Sequence, residues 1–246
     1  MKVTVRAYAE LNDFLKPGLR QKEFVLAFRD GHTVKHVLES VGIPHTEIDV
    51  ILVNGESVDF SRMTEDGDRI SAYPVFESLD VSPVLRLRPE PLRETRFLLD
   101  VNLGGLAPLL RLLGFDTSFP GHMDDGALVA MSIDEGRILL TRDRDLLKRR
   151  ALSRGLWIRS QVPMEQAGEV LERLDLKGSV RPFTLCARCS GRLAEVDKKV
   201  VMDRLEPLTK RYYDDFRICS KCGQIYWKGS HFEALTALVE RMCRGS

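Results

Sequence analysis

The 246-residue sequence contains no run of about 18 consecutive apolar residues, which excludes an ordinary membrane-spanning helix. Its first residues, MKVTVRAYAEL, lack the apolar core of a signal peptide and alternate like a strand instead. Internal repeats and low-complexity tracts are absent, so a repeat array is excluded. Net charge is almost nil, +1, from 37 basic and 36 acidic side chains, so a strongly basic or acidic partner surface is not demanded. Cysteine is scarce: there are five, of which Cys243 stands alone and the others sit in pairs. That is no disulfide framework and fits a reducing compartment. A cytoplasmic protein without membrane association is therefore the expectation; oligomeric state is not legible.

What cysteine there is carries the sharpest signal. Cys186 and Cys189 form one CxxC, Cys219 and Cys222 another, the second inside CSKCGQIYWKGSH. Two thiolates on one tight turn reach a single ion at about 2.3 Å, and two such turns complete a tetrahedron, so the spacing predicts a structural Zn²⁺ site. Charge is unevenly spread: residues 1–79 hold 9 basic and 13 acidic side chains, residues 186–246 hold 12 and 8. The excess at the C-terminal end permits nucleic-acid contact without requiring it.

The pattern along the chain predicts a β-grasp domain over 1–79, a Pro-rich linker over 80–95, an α/β domain over 96–180, and a zinc ribbon with a terminal helix over 181–246. In the first, KVTVRAYA and KEFVLAF read as strands, Thr33 as a helix cap, and IDVILVNG and EDGDRISAYPVF as strands with turns, the ββαββ order of a ubiquitin-like α+β fold. In the linker, LRLRP can pair as a short strand. From Arg96 onward RFLLD, RILLT and LWIRS alternate with LGGLAPLLRLLGF, Asp124–Asp134, RDLLKRRALSRG and PMEQAGEVLERL, which predicts a mainly parallel sheet covered by helices.

In such sheets ligands gather beyond the carboxyl ends of the strands. Asp100 closes RFLLD, Asp143 and Asp145 follow RILLT, and Asp124 and Asp125 open the helix before it. If these ends converge, several carboxylates share a pocket and need a cation; an all-oxygen set suits Mg²⁺ or Mn²⁺. The alternative is that Asp124, Asp125, Asp143 and Asp145 are helix caps. Arg142 and Arg144 are candidates to hold a phosphate, or an ordinary solvated charge pair. Lys148, Arg149, Arg150 and Arg154 can track a nucleic-acid backbone, or form a soluble helix face. Tyr226, Trp227 and His231 follow the second cysteine pair; they can stack on bases, although packing of Trp227 onto the sheet is the favoured expectation. Cys243 reads as a small buried hydrophobe beside Leu235, Leu238 and Val239.

Two resemblances sharpen these readings. The N-terminal TVxxxL, VNG and DGDRI strings resemble the small sulfur-carrier proteins of thiamine and molybdopterin synthesis, but those end in a free Gly-Gly, whereas this chain continues through AYPVFESLDVSP. A docking or stabilising module, with a protein partner as one use, is expected instead of sulfur carriage. FLLDVNLGGLAPLLRLLGFD, DDGALVAMSIDEGRILLTRDRDLL and YWKGSH together resemble the Mut-seven C-terminal RNase domain family. That resemblance implies a PIN-like ribonuclease fold with a zinc ribbon, preceded by a ubiquitin-like domain. It also implies RNA as substrate (tRNA or another structured or single-stranded RNA), and catalytic acids at Asp100, Asp125 with Asp124, Asp143 and Asp145. Metal-dependent hydrolysis of RNA is the expected function. A non-catalytic RNA-binding or partner-recruiting adaptor is the alternative. Pro108, in the first helix, departs from the family's bulky residue.

Overall fold

The computed structural model describes residues 1–74 and 95–244. Apart from Thr95, the expected linker at 80–95, with its LRLRP strand, lies outside the described residues. In chain order the elements are strands β1 (Lys2–Ala7) and β2 (Phe24–Ala27), helix α1 (Val34–Ser40), and strands β3 (Val50–Val53), β4 (Glu56–Ser57) and β5 (Arg69–Tyr73). Then come β6 (Arg96–Leu99), α2 (Leu106–Leu112), β7 (Asp116–Ser118), α3 (Asp125–Asp134), β8 (Ile138–Thr141), α4 (Arg144–Leu147), β9 (Gly155–Trp157) and α5 (Pro163–Arg173). The C-terminal part adds β10 (Leu193–Val196), α6 (Lys198–Val201), α7 (Pro207–Tyr212), β11 (Phe216–Cys219), β12 (Ile225–Trp227) and α8 (Phe232–Arg244).

These elements form two compact units. The first contains the N-terminal domain together with residues 125–136 and 143–157; the second contains 95–124, 137–142 and 158 onward. In the first unit the strands run in the order β2-β1-β5-β3-β4. The central pair, β1 with β5, is parallel, and the flanking pairs are antiparallel. The alternation read in KVTVRA places Val3 and Val5 inward, against Val37 and Leu38 of α1 and Ile51 and Ile70 of the sheet, all fully buried. Thr33 caps α1, its hydroxyl accepting from the His36 amide at 3.2 Å. Asn54 and Gly55 both adopt positive φ, 53° and 88°, the twist a two-residue hairpin turn demands between β3 and β4.

In the second unit, parallel strands lie side by side in the order β7, β6, β8. Phe97, Leu98 and Leu99 are completely buried, as a continuous apolar run in a covered parallel sheet should be. Helix α2 packs on α5, and α5 on α8. The antiparallel sheet β10-β11-β12 has its own small core of Val201, Leu205, Phe216 and Ile225.

Four local readings differ from expectation. Strand β7 was not anticipated, because DTS has no apolar run; its pairing with β6 is supplied by tertiary context. The RDLLKRRALSRG segment is helical only over four residues; after them the Lys148 and Arg149 amides donate three residues back, to Asp145 and Leu146, and the Leu147 and Leu152 carbonyls accept from Thr46 and His45. Trp227 packs within the ribbon, 6.3 Å from the Phe216 ring and 6.5 Å from Tyr213, and remains 40% exposed. Cys243 is half-buried, whereas Val239 and Met242 take the buried positions of α8.

Candidate functional site

The pairing of Leu193 with Cys219 sets the second cysteine turn at the end of β11 and brings it against the first. All four cysteine sulfurs lie within 4.8 Å of one another. Cys186 Sγ is 3.6 Å from Cys222 Sγ, and Cys189 Sγ 3.5 Å from Cys219 Sγ. Among the described residues, one group of three or more His, Cys, Asp or Glu side chains is placed to hold an ion together, and it is this quartet. Each turn is shaped by its backbone: the Cys186 amide donates to the Gly191 carbonyl at 2.8 Å, and the Lys221 and Cys222 amides both donate to Cys219 Sγ at 3.4 Å. Gly191 permits the approach, for a Cβ there would stand 2.5 Å from Cys219 Sγ and 2.8 Å from Lys221 Cβ.

The thiols do not titrate alike. Burial pushes Cys186 upward, but the Tyr226 hydroxyl at 3.1 Å and the amides of Arg188 and Cys189 outweigh it and bring the thiol down to about 6. Burial likewise opposes Cys219, where the Cys222 and Lys221 amides prevail and lower it. Burial and its three cysteine neighbours hold Cys189 up, near 12. Several thiolates this close cannot all ionise unaided, and a dication would supply the missing charge. The all-sulfur donor set fits a metal ion such as zinc.

The first cysteine turn is fastened to the rest of its unit by Arg111 of α2, a buried guanidinium. Its Nη1 donates to the carbonyls of Ala187 and Arg188 at 3.1 and 2.9 Å, and its Nε to the Thr117 carbonyl at 3.0 Å. Ser190 completes the fastening: its hydroxyl donates to the Thr117 carbonyl and accepts from the Thr117 amide at 2.9 Å. Burial lowers the Arg111 pKa, opposed by the attraction of the Cys189 and Cys186 sulfurs when ionised. Nothing in the spacing of the sequence marks Arg111, Ser190 or Tyr226 for these roles, because their partners across the cysteine turn lie 40 to 77 residues away.

Asp100 and Asp124 stand in the second unit, and Asp125, Asp143 and Asp145 in the first. Asp100 is buried at the carboxyl end of β6, where its amide donates to the Leu140 carbonyl at 3.1 Å. Its Oδ1 accepts from the Val101 amide at 2.6 Å and its Oδ2 from the Thr141 hydroxyl at 2.8 Å. Asp143 is the N-cap of α4, its Oδ1 accepting from the amides of Asp145 and Leu146 at 2.8 and 3.4 Å. Asp145 is exposed and meets Lys148 Nζ at 2.9 Å; that hydrogen bond and the Lys148 charge lower its pKa. Asp125 begins α3, half-exposed, with Arg149 Nη2 at 3.0 Å, while Asp124 is exposed. Lys148 and Arg149, expected on substrate, are thus each paired with one of the acids. Arg142 is half-buried just past β8. Arg144 lies over the Trp157 ring, 3.8 Å from its centroid, and 5.3 Å from that of Phe14.

The second unit also holds an open cleft of about 1220 Å³ between α2, the ribbon and α8, lined by Leu109, Phe183, Phe216, Tyr226, Trp227 and Phe232 among others. No helix among the described residues is long and apolar enough to cross a membrane. A family model described as the Mut7-C RNAse domain matches residues 95–239, and one described as Mut7-C ubiquitin matches residues 1–80. No curated protein and no solved structure matches the chain.

Proposed function

The chain belongs to the Mut7-C RNAse domain family, and on that premise we propose that it is a metal-dependent ribonuclease hydrolysing RNA phosphodiester bonds. The observation that carries the reading is Asp100: a buried carboxylate at the end of a parallel strand, each oxygen held by a neutral donor, Val101 N–H or Thr141 O–H. Such donors orient a metal-binding carboxylate without competing for it by charge. Asp100 and Asp143 are the proposed direct ligands of Mg²⁺ or Mn²⁺. Asp125, with Asp124 beside it, completes the shell or orients the attacking water; Asp145 supports from outside. The bound cation would lower the pKa of water and neutralise charge on the attacked phosphate. Arg142 is the proposed phosphate-holding group, and Lys148 and Arg149 add sequence-independent attraction to the backbone.

Four thiolates around Zn²⁺ leave no open position, so the ribbon is proposed as structural. A reducing, cytoplasm-like compartment suits such thiolates. The test is RNA degradation with Mn²⁺ or Mg²⁺ by the full chain against Asp100→Asn and Asp143→Asn. Loss of cleavage in both, with the fold retained, is expected; parent-like cleavage by both variants would falsify the assignment. RNA affinity that survives EDTA, without turnover in either metal, would identify a non-catalytic adaptor instead.

A further inference from the structure

The short turn His45–Glu47 of the N-terminal domain is buried although all three of its residues are polar, with exposures of 7%, 2% and 3%. Burying such groups is costly unless they are hydrogen-bonded. Each of the three has a partner in one segment, 143–157 of the same unit. His45 Nε2 donates to the Leu152 carbonyl at 2.7 Å, while Nδ1 meets Glu39 Oε1 at 2.7 Å. Thr46 Oγ1 donates to the Leu147 carbonyl at 3.4 Å, and Glu47 Oε1 accepts from the Trp157 amide at 2.5 Å.

All three contacts run from side chain to main chain, so the turn grips the path of the segment and not its side chains. Arg144 adds a fourth hold from the segment's own side. Its guanidinium lies over Trp157, and Nη2 donates to the Asp13 carbonyl at 3.4 Å. Phe14 and Trp157 pack with ring centroids 5.0 Å apart, and Trp157 joins the edge of the β-grasp core.

The first of these held residues belong to α4, four residues capped by Asp143. A helix this short has no stability of its own, since even 12–15 residues are marginal in isolation. What fixes it must come from outside, and the holds just described act on its own first and last residues, Arg144 and Leu147, and on the chain that follows, at Leu152 and Trp157. From this geometry we infer that the ubiquitin-like domain is a built-in clamp that sets the orientation of the Asp143 carboxylate, with Glu47 and Arg144 as positioning residues. The catalytic half of this inference rests on Asp143 being a ligand of the nuclease metal; the clamp itself does not.

The experiment uses the full chain, unsubstituted and as Glu47→Gln, with Arg144→Met as a second variant that leaves the turn intact. Amide exchange at Asp145 and Leu146 reports the Asp143 cap directly, independently of activity. The expected result is faster exchange there by about tenfold, with β1 and β5 protection unchanged. RNA cleavage in Mn²⁺ should lose kcat by about tenfold or more at little change in KM, as for a misplaced catalytic group. Opening of the Trp157 amide with Asp145 and Leu146 unaffected would overturn the clamp. Faster exchange at both with unchanged kcat would overturn the positioning role. Absence of cleavage in the unsubstituted chain would defeat the ribonuclease reading, leaving the exchange result to decide the clamp alone.

Discussion

The Tyr226 hydroxyl donates to the Cys186 sulfur at 3.1 Å, joining β12 to the first cysteine turn across 40 residues. Burial and the negative Cys186 push the phenol's pKa up, so it stays a donor over the whole working range. Tyr226→Phe removes that donor and little else. Zinc affinity should fall by about 10- to 100-fold, the usual effect of losing a partner of a metal ligand. Competition against a chromophoric chelator measures it directly; unchanged affinity would deny Tyr226 a part in the site.

The metal-free protein should have a characteristic pH dependence. Cys186 is depressed from its ordinary 9.0 to about 6 in the folded state, so folding releases its proton between those values. Its contribution is fully present above pH 9 and is lost as the pH falls through about 6. Cys219 is shifted in the same direction. Cys189, held near 12, acts oppositely, subtracting stability as the pH rises above 9. Thermal unfolding in EDTA across pH 5–11 should therefore place the optimum near pH 9; a profile rising toward acid would contradict these environments.

Arg111 should matter far beyond its own helix. Arg111→Met keeps the apolar stem and takes the guanidinium donors from the Ala187 and Arg188 carbonyls, while the Thr117 carbonyl keeps only the Ser190 hydroxyl. Stability should drop by about 3 kcal/mol, the range for leaving buried polar groups unpaired. The midpoint of denaturant unfolding checks this, and exchange at the Thr117 amide should quicken as its bond to Ser190 loosens.

Thr141→Val is the most economical probe of Asp100. It preserves size and β-branching while deleting the hydroxyl that donates to Oδ2 at 2.8 Å. A loss of about 1–3 kcal/mol in stability is expected, because Asp100 stays buried with one fewer donor. Mn²⁺-dependent RNA cleavage should fall with it; full activity would show that Asp100 needs no such orientation.

Much of this architecture is legible from local pattern. The paired cysteines, the Asn54-Gly55 turn and the Thr33 cap each depend on neighbours a few residues away, and there the sequence reading and the geometry agree. Contributions made at long range are not legible in the same way. Glu47 looks like any surface acid in HTEID, and its burial depends on Trp157, 110 positions on. The basic run after Asp143 has helical propensity, yet the helix ends at Leu147, and the Leu147 and Leu152 carbonyls accept from the distant side chains of Thr46 and His45. Strand β7 is three residues without an apolar run, made a strand only by β6. The carboxylates fall between these cases: the sequence locates them at strand and helix ends, while their donors, Thr141 for Asp100 and Arg149 for Asp125, come from elsewhere in the chain.

The parallel pairing of β1 with β5 has a temporal consequence. Thr4 pairs with Arg69 and Ala7 with Ala72, so the central ladder of the N-terminal sheet cannot close until β5 has left the ribosome. Trp157, which Glu47 awaits, is made later still; at ~5–20 residues per second the stretch from Tyr73 to Trp157 takes about 4 to 17 s. For that interval the sequence of the whole sheet exists while the partners of the polar turn His45–Glu47 in residues 147–157 do not. The order of translation thus puts every strand of the N-terminal sheet on the chain before the segment that its polar turn holds.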